Sequence, residues 1–147
     1  MKKYNTEKKY HMHIHIVLST RLRLRLFKDS TCWAAFVQAA EESCKNYGGK
    51  LLHIENGVSE AGKGLRFIYS AVHIQVLLQG EVGPSELAGI IRQKAWEIMK
   101  DTTAETLSRN PFTKDFYIAD NTYFSETEAL SFLQNRLPDR TDVKTQK

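Results

Sequence analysis

A chain of 147 residues is long enough for one domain and too short for two independent domains of ordinary size. Its 41% apolar and 26% charged residues fit a soluble globular protein that needs neither a metal nor a disulfide merely to fold. The 21 Lys and Arg against 17 Asp and Glu leave +4, which permits a polyanionic partner without demanding one. No apolar run approaches the roughly 18 residues of a membrane-spanning helix. The basic start leads into apolar residues alternating with His and Arg, which is no signal-peptide core.

From His11 to Leu26 the chain alternates almost without a break. Met12, Ile14, Ile16, Leu18, Leu22, Leu24 and Leu26 hold the even positions, and His11, His13, His15, Arg21, Arg23 and Arg25 hold odd ones. This period of two predicts a strand with one buried and one exposed face, bent or bulged near Ser19 and Thr20 because of its length. Ser30 to Tyr47 reads as a helix, with Trp33, Phe36, Val37, Ala40 and Cys44 on one face, Asp29 or Ser30 as N-cap, and Gly48-Gly49 as the stop. Cys32 and Cys44 lie within it, about 18 Å apart at helical rise, so they read as unbridged thiols suited to a reducing cytoplasm.

Lys50 to Ile54 predicts a short strand, followed by a polar, Gly-containing stretch from Glu55 to Gly64 and a second long strand from Leu65 to Leu78. A helix is expected from about Ser85 to Asp101, and a last short strand from Phe112 to Ala119. Ser125 with Glu128 forms a capping-box pattern opening a final helix that stops at Pro138. Residues 1–138 then form one domain, and 139–147 a polar tail. The order β-α-β-β-α-β-α specifies an α+β, ferredoxin-like (split βαβ) sandwich: an antiparallel sheet with helices on one face plus a C-terminal helix, its first and third strands central neighbours.

Several residue types on these elements carry chemistry. Arg21, Arg23 and Arg25 on one strand face would stand about 6.6–6.8 Å apart, close to the phosphate pitch of a single nucleic-acid strand. The same row would also serve as a plain solvated face. Phe67, Tyr69, His73 and Gln75 share a predicted face, where aromatics can stack bases or simply fill a sheet. His73 and Gln75 could ligate a cation or form a surface hydrogen-bonded pair. His11, His13 and His15, two apart, allow shared metal binding, although no carboxylate nearby in the sequence completes such a site.

These segments together resemble the small single-tyrosine, HUH-type transposases of the insertion sequence 200/605 family. His15 to Arg23 is similar to that family's first strand, "H-x-V-W-x-T-K-Y-R", and Leu51 to Ile54 to its second. Ser70 to Leu78 is similar to the segment carrying "D-H-V-H-L-L-V", and the helix with Ser85 and Lys94 to a Ser-and-Lys helix. Asp115 to Ile118, then Ser125 to Leu133, is similar to "G-Y-Y-V … S-x-E-x-V-x-x-Y-I-x-x-Q". The resemblance implies a homodimer acting on single-stranded or hairpin DNA. It also implies two histidines holding a divalent metal, Mg or Mn, on the scissile phosphate, and a helix tyrosine attacking it.

This chain departs at each of those positions. His73 matches the first histidine, Gln75 replaces the second, Phe132 occupies the tyrosine's position, and Arg136 stands at the usual Gln. The expectation is a DNA-binding protein without strand-transfer activity. Arg21, Arg23, Arg25 and Lys94 would contact DNA, and His73 with Gln75 would mark a vestigial metal pocket. The alternative is an active metal-dependent transposase or endonuclease, with Tyr117 or Tyr123 as a displaced nucleophile and His13 or His15 as the replacement ligand.

Overall fold

The structure, a computed structural model, describes residues 11–102 and 109–135. The expected tail, Pro138 and Arg136 lie outside them. Four strands form one antiparallel sheet: β1 (Met12–Ser19), β2 (Gly49–Asn56), β5 (Ala71–Leu78) and β6 (Tyr117–Asp120), in the order β2-β5-β1-β6. Two short strands, β3 (Val58–Glu60) and β4 (Gly64–Arg66), make a separate hairpin. Helices α1 (Ser30–Asn46) and α2 (Pro84–Thr102) cover one face, and α3 (Glu126–Asn135) packs on the other. This is the expected α+β sandwich with a split βαβ core, β1 and β5 side by side at its centre. Among the described residues, no helix is long and apolar enough to cross a membrane.

The main core follows from strand parity. Ile14, Ile16 and Leu18 of β1 and Val72, Ile74, Val76 and Leu78 of β5 point toward the helices, where they meet Phe36, Ala40, Leu87, Ile91 and Met99. Phe36 is fully buried and contacts three rings: Phe27 edge-on at 5.4 Å, Phe112 at 5.5 Å and Trp33 at 6.3 Å. Asp29 caps α1 by accepting from the Thr31 and Cys32 amides, and Tyr47 closes its end by donating to the Ser43 carbonyl. Gly48 then takes φ +78°, and a Cβ there would come within 2.9 Å of the Gly80 backbone, so the turn into β2 requires glycine twice over.

Both long strands expected from the sequence are cut short. β1 ends at Ser19, so Arg21, Arg23 and Arg25 do not form a strand row. Thr20 donates its backbone N–H to the Ser70 carbonyl and its hydroxyl to the Leu24 carbonyl, and Leu22 and Arg23 turn into the left-handed region at φ 53° and 54°. The alternation past Leu18 therefore misleads: Leu22 and Leu24 stay exposed while Leu26 is buried. The segment expected as Leu65–Leu78 breaks likewise, because Phe67 and Tyr69 adopt φ 56° and 76°. Phe67 turns to the α3 side and Tyr69 to the main core, so they do not share one face.

The polar stretch after Ile54 completes β2 and supplies β3, which pairs with β4 at the start of the expected second long strand. Phe112, expected to start the last strand, makes an isolated bridge with Thr20 and is buried in the core, and β6 begins at Tyr117. Left-handed backbone costs a residue with a Cβ about 1–2 kcal/mol. All such non-glycine residues among the described ones fall in the two segments after β1 and before β5.

Removing the Phe36 ring empties the aromatic junction between helices and sheet. Phe36→Ala is expected to lower unfolding free energy by about 3–5 kcal/mol, measured by urea denaturation. The half-buried cap variant Asp29→Ala should cost only about 1 kcal/mol in the same assay.

Candidate functional site

The sheet face away from α1 and α2 carries the polar side chains of the two central strands. Register places His15 opposite Gln75, Val17 opposite His73, and Glu55 of β2 opposite His73 on its other side. The result is a chain of hydrogen bonds, buried at its two histidines and reaching the surface at Asn121. Glu55 Oε2 lies 3.0 Å from His73 Nδ1, His73 Nε2 lies 2.8 Å from His15 Nδ1, and His15 Nε2 lies 2.8 Å from Asn121 Oδ1. His13 makes a separate pair, its Nε2 3.0 Å from Gln75 Oε1, and its ring stacks on His15 at 5.3 Å. Phe124 lies flat over the pair, stacked on His15 at 4.0 Å and on His73 at 5.0 Å.

The charge state follows from these contacts. Burial alone would raise the Glu55 carboxyl, yet hydrogen bonds from His73, from the Ser59 amide and hydroxyl, and from His53 hold it at about 2. Burial pushes His73 below its ordinary value of 6.5 despite the pull of Glu55, and burial likewise lowers His15. Near neutral pH, His73 therefore donates Nδ1–H to the Glu55 carboxylate and accepts from His15 Nδ1–H at Nε2. Asn121 Oδ1 accepts from His15 only when that ring carries a second proton, and with His15 neutral the amide must present its nitrogen instead.

This donor set does not fit the divalent ion that the resemblance implies. His15 Nδ1 and His73 Nε2 are occupied with each other at 2.8 Å, leaving no lone pair free between them. The one carboxylate beside them already accepts hydrogen bonds on both oxygens, whereas Mg and Mn favour oxygen ligands. Among the described residues, no three His, Cys, Asp or Glu converge as a metal site. Gln75 lies beside His13 on the same face.

Of the nucleophile positions, Phe132 and Tyr117 are neighbours and Tyr123 lies on an exposed turn. Phe132, at the position of the family tyrosine, belongs to the small apolar cluster of Val17, Val58, Ala71, Ala129 and Leu133, with its ring 6.1 Å from Tyr117. The Tyr117 hydroxyl donates to Glu128 Oε1 at 3.2 Å, and burial with that carboxylate pushes the phenol up, so it stays protonated at neutral pH. Tyr123, 77% exposed, sits on the turn after β6. Ser125 caps α3 as expected by accepting from the Glu128 amide, while the Glu128 carboxylate is spent on Tyr117.

The basic residues part company. Arg21 Nε donates to the Asn110 carbonyl, and Arg23 Nη2 donates to the Leu133 carbonyl while its guanidinium covers the Phe67 ring at 4.6 Å. Arg25 stands 5.2 Å over Tyr69. Lys94 is remote from all of these, in the helical layer across the sheet, paired with Glu42 at 3.6 Å.

Glu55, Asn121 and Phe124 are the residues that sequence reasoning missed. Strand parity carried through His53 would have found Glu55. Phe124, directly before the cap Ser125, stands at the position of a hydrophobic staple onto Ala129. Asn121 carries no sequence signal.

The fold has relatives among solved structures. A candidate transposase from Deinococcus radiodurans R1 superposes over 95% of this chain and 100% of its own, with TM-score 0.63 and 12% identity. A REP-associated tyrosine transposase bound to a REP hairpin superposes over 89% of this chain and 68% of its own, with TM-score 0.55 and 11% identity. At such identities the likeness shows the fold alone, which is transposase-like. No protein-family model matches the chain, and no curated protein matches it in sequence.

Acid should weaken this protein through both partners. The depressed Glu55 carboxyl contributes stability in full above its ordinary value of 4.5, lost as pH falls toward about 2. The lowered His73 favours the fold while neutral, so stability also falls as pH drops below 6.5. The thermal midpoint should be level above pH 7 and decline in both windows, and Glu55→Gln should remove the lower limb.

Proposed function

We propose that this chain is a nucleic-acid-binding protein that takes single-stranded or hairpin DNA and performs no strand transfer. The observation that carries this reading is the closed hydrogen-bond chain Glu55–His73–His15–Asn121 under Phe124, on a transposase-like fold. Where chemistry would require open metal ligands and an activated hydroxyl, the face offers occupied imidazoles, Phe132, and a Tyr117 hydroxyl held by Glu128. The likeness to a protein bound to a DNA hairpin supports the choice of ligand.

Contact with phosphates falls in this reading to Arg23 and Arg25, joined by Arg66 beside the same Phe67 ring. Arg21 holds the 110–111 backbone in place. Lys94 is left out of the interface by its position across the sheet. The homodimer belongs to the same reading and rests on the sequence resemblance alone.

A labelled DNA hairpin with a single-stranded extension, incubated with the protein and Mg²⁺ or Mn²⁺, tests both halves. Salt-sensitive retention without a covalent adduct is expected. With about three phosphate contacts to a single strand, affinity should fall roughly 20-fold between 50 and 200 mM salt. A covalent protein–DNA adduct abolished by Tyr117→Phe or Tyr123→Phe would establish the active alternative instead.

A further inference from the structure

At the C-terminal end of α3, about 15 Å along that helix from Phe124, lies a cavity outside the histidine cluster. Its volume is about 370 Å³, near the small end of ligand pockets and on the scale of one nucleotide. Arg23, Arg25, Arg66 and Phe67 supply its walls, and Gln134 its rim. Resting on the DNA-binding reading above, we propose that this cavity is a subsite for one unstacked nucleotide of a bound strand.

Three independent observations converge here. The first is charge beside flat surface. The Phe67 ring has the Arg23 guanidinium at 4.6 Å and that of Arg66 at 5.8 Å, an arginine–aromatic stack that an unpaired base can extend. Arg66 gives one nitrogen to Glu60 at 2.7 Å, while Arg23 and Arg25 form no ion pair among the described residues, so an excess of positive charge remains for a phosphate. The second is an unused donor. Arg23 Nε is buried and has no acceptor among the described residues, although the same side chain is fixed by its bond to the Leu133 carbonyl.

The third is backbone strain. Leu22, Arg23, Phe67 and Tyr69 are the non-glycine residues with left-handed backbone among the described ones, and they lie in the two segments that bound the cavity. Such conformations gather at ligand clamps, where the surrounding structure forces side chains into a required position. Here the strain brings the Arg23 guanidinium directly onto the Phe67 ring in the cavity wall. Apolar edges accompany the charge, since Phe67 and the 44% exposed Ile68 line the same cavity. A bare anion gains nothing from those edges, whereas a nucleobase covers them.

Two hairpins of identical duplex test the proposal, one blunt and one with a four-nucleotide extension containing 2-aminopurine. Wild type should prefer the extended hairpin by about tenfold, the effect of one stacked base, and should quench the 2-aminopurine. Phe67→Gly, which suits the positive φ, should remove most of the preference and quenching with affinity for the blunt hairpin retained, whereas Arg25→Gln, at a phosphate contact, should weaken both hairpins and also remove most of the preference and quenching. Deoxyadenosine 5′-monophosphate should compete with the extension better than equal inorganic phosphate does. Equal affinity of wild type for both hairpins, or full preference in both variants, would overturn the subsite while leaving the DNA reading intact. Equal competition by phosphate would replace it with a simple anion site. Failure of wild type to hold either hairpin at low salt would remove the DNA reading and the subsite together.

Discussion

The antiparallel pairing of β1 with β5 is the constraint on which the other features depend. Its register, from Met12 opposite Leu78 to Ser19 opposite Ala71, sends one set of side chains into the helical core and the other onto the opposite face. A slip of one residue would exchange Ile16 and Ile74 for His15 and His73, placing imidazoles among Phe36 and Leu87. The buried apolar set therefore fixes the position of the histidines. Their closeness is a by-product of core packing, made specific by Glu55 and Asn121 at the two ends of the chain.

Much of this architecture was legible in the residues. Strand parity in Met12–Ser19 and Ala71–Leu78, the Asp29 cap, the double-glycine turn and the Ser125 cap each act within a few residues, and each led to the right element. The errors arose where local pattern and tertiary bonding disagree. Leu22 and Leu24 continue the alternation perfectly, but the Thr20 bonds to Ser70 and Leu24 end the strand, and such long-range bonds leave no periodic trace. Phe67 and Tyr69 misled for the same reason, because positive φ at an aromatic residue is not signalled by composition.

The site was half visible. His15, His73 and Gln75 were placed on one face by parity alone, and they do share it. What completes the cluster comes from elsewhere: Asn121 from beyond β6, Phe124 from the entry to α3, and Glu55 from a strand longer than its sequence suggests. A hydrogen-bond chain assembled from four segments distant in sequence has no short motif. Its electrostatics are likewise collective, since Glu55 is ionised because donors surround it while His73 is neutral because burial outweighs the attraction of that carboxylate.

The arginines anchored to main-chain carbonyls have a consequence for kinetics. Arg21 binds the Asn110 carbonyl, Arg23 that of Leu133, and Arg92 those of Phe112 and Thr113. A carbonyl fixes a guanidinium in place without cancelling its charge, as a carboxylate would. These side chains thus brace the fold and still add in full to the electric field around it. A polyanion approaching from solution is drawn by cations it need never touch, so its capture rate can depend on more arginines than its final grip does.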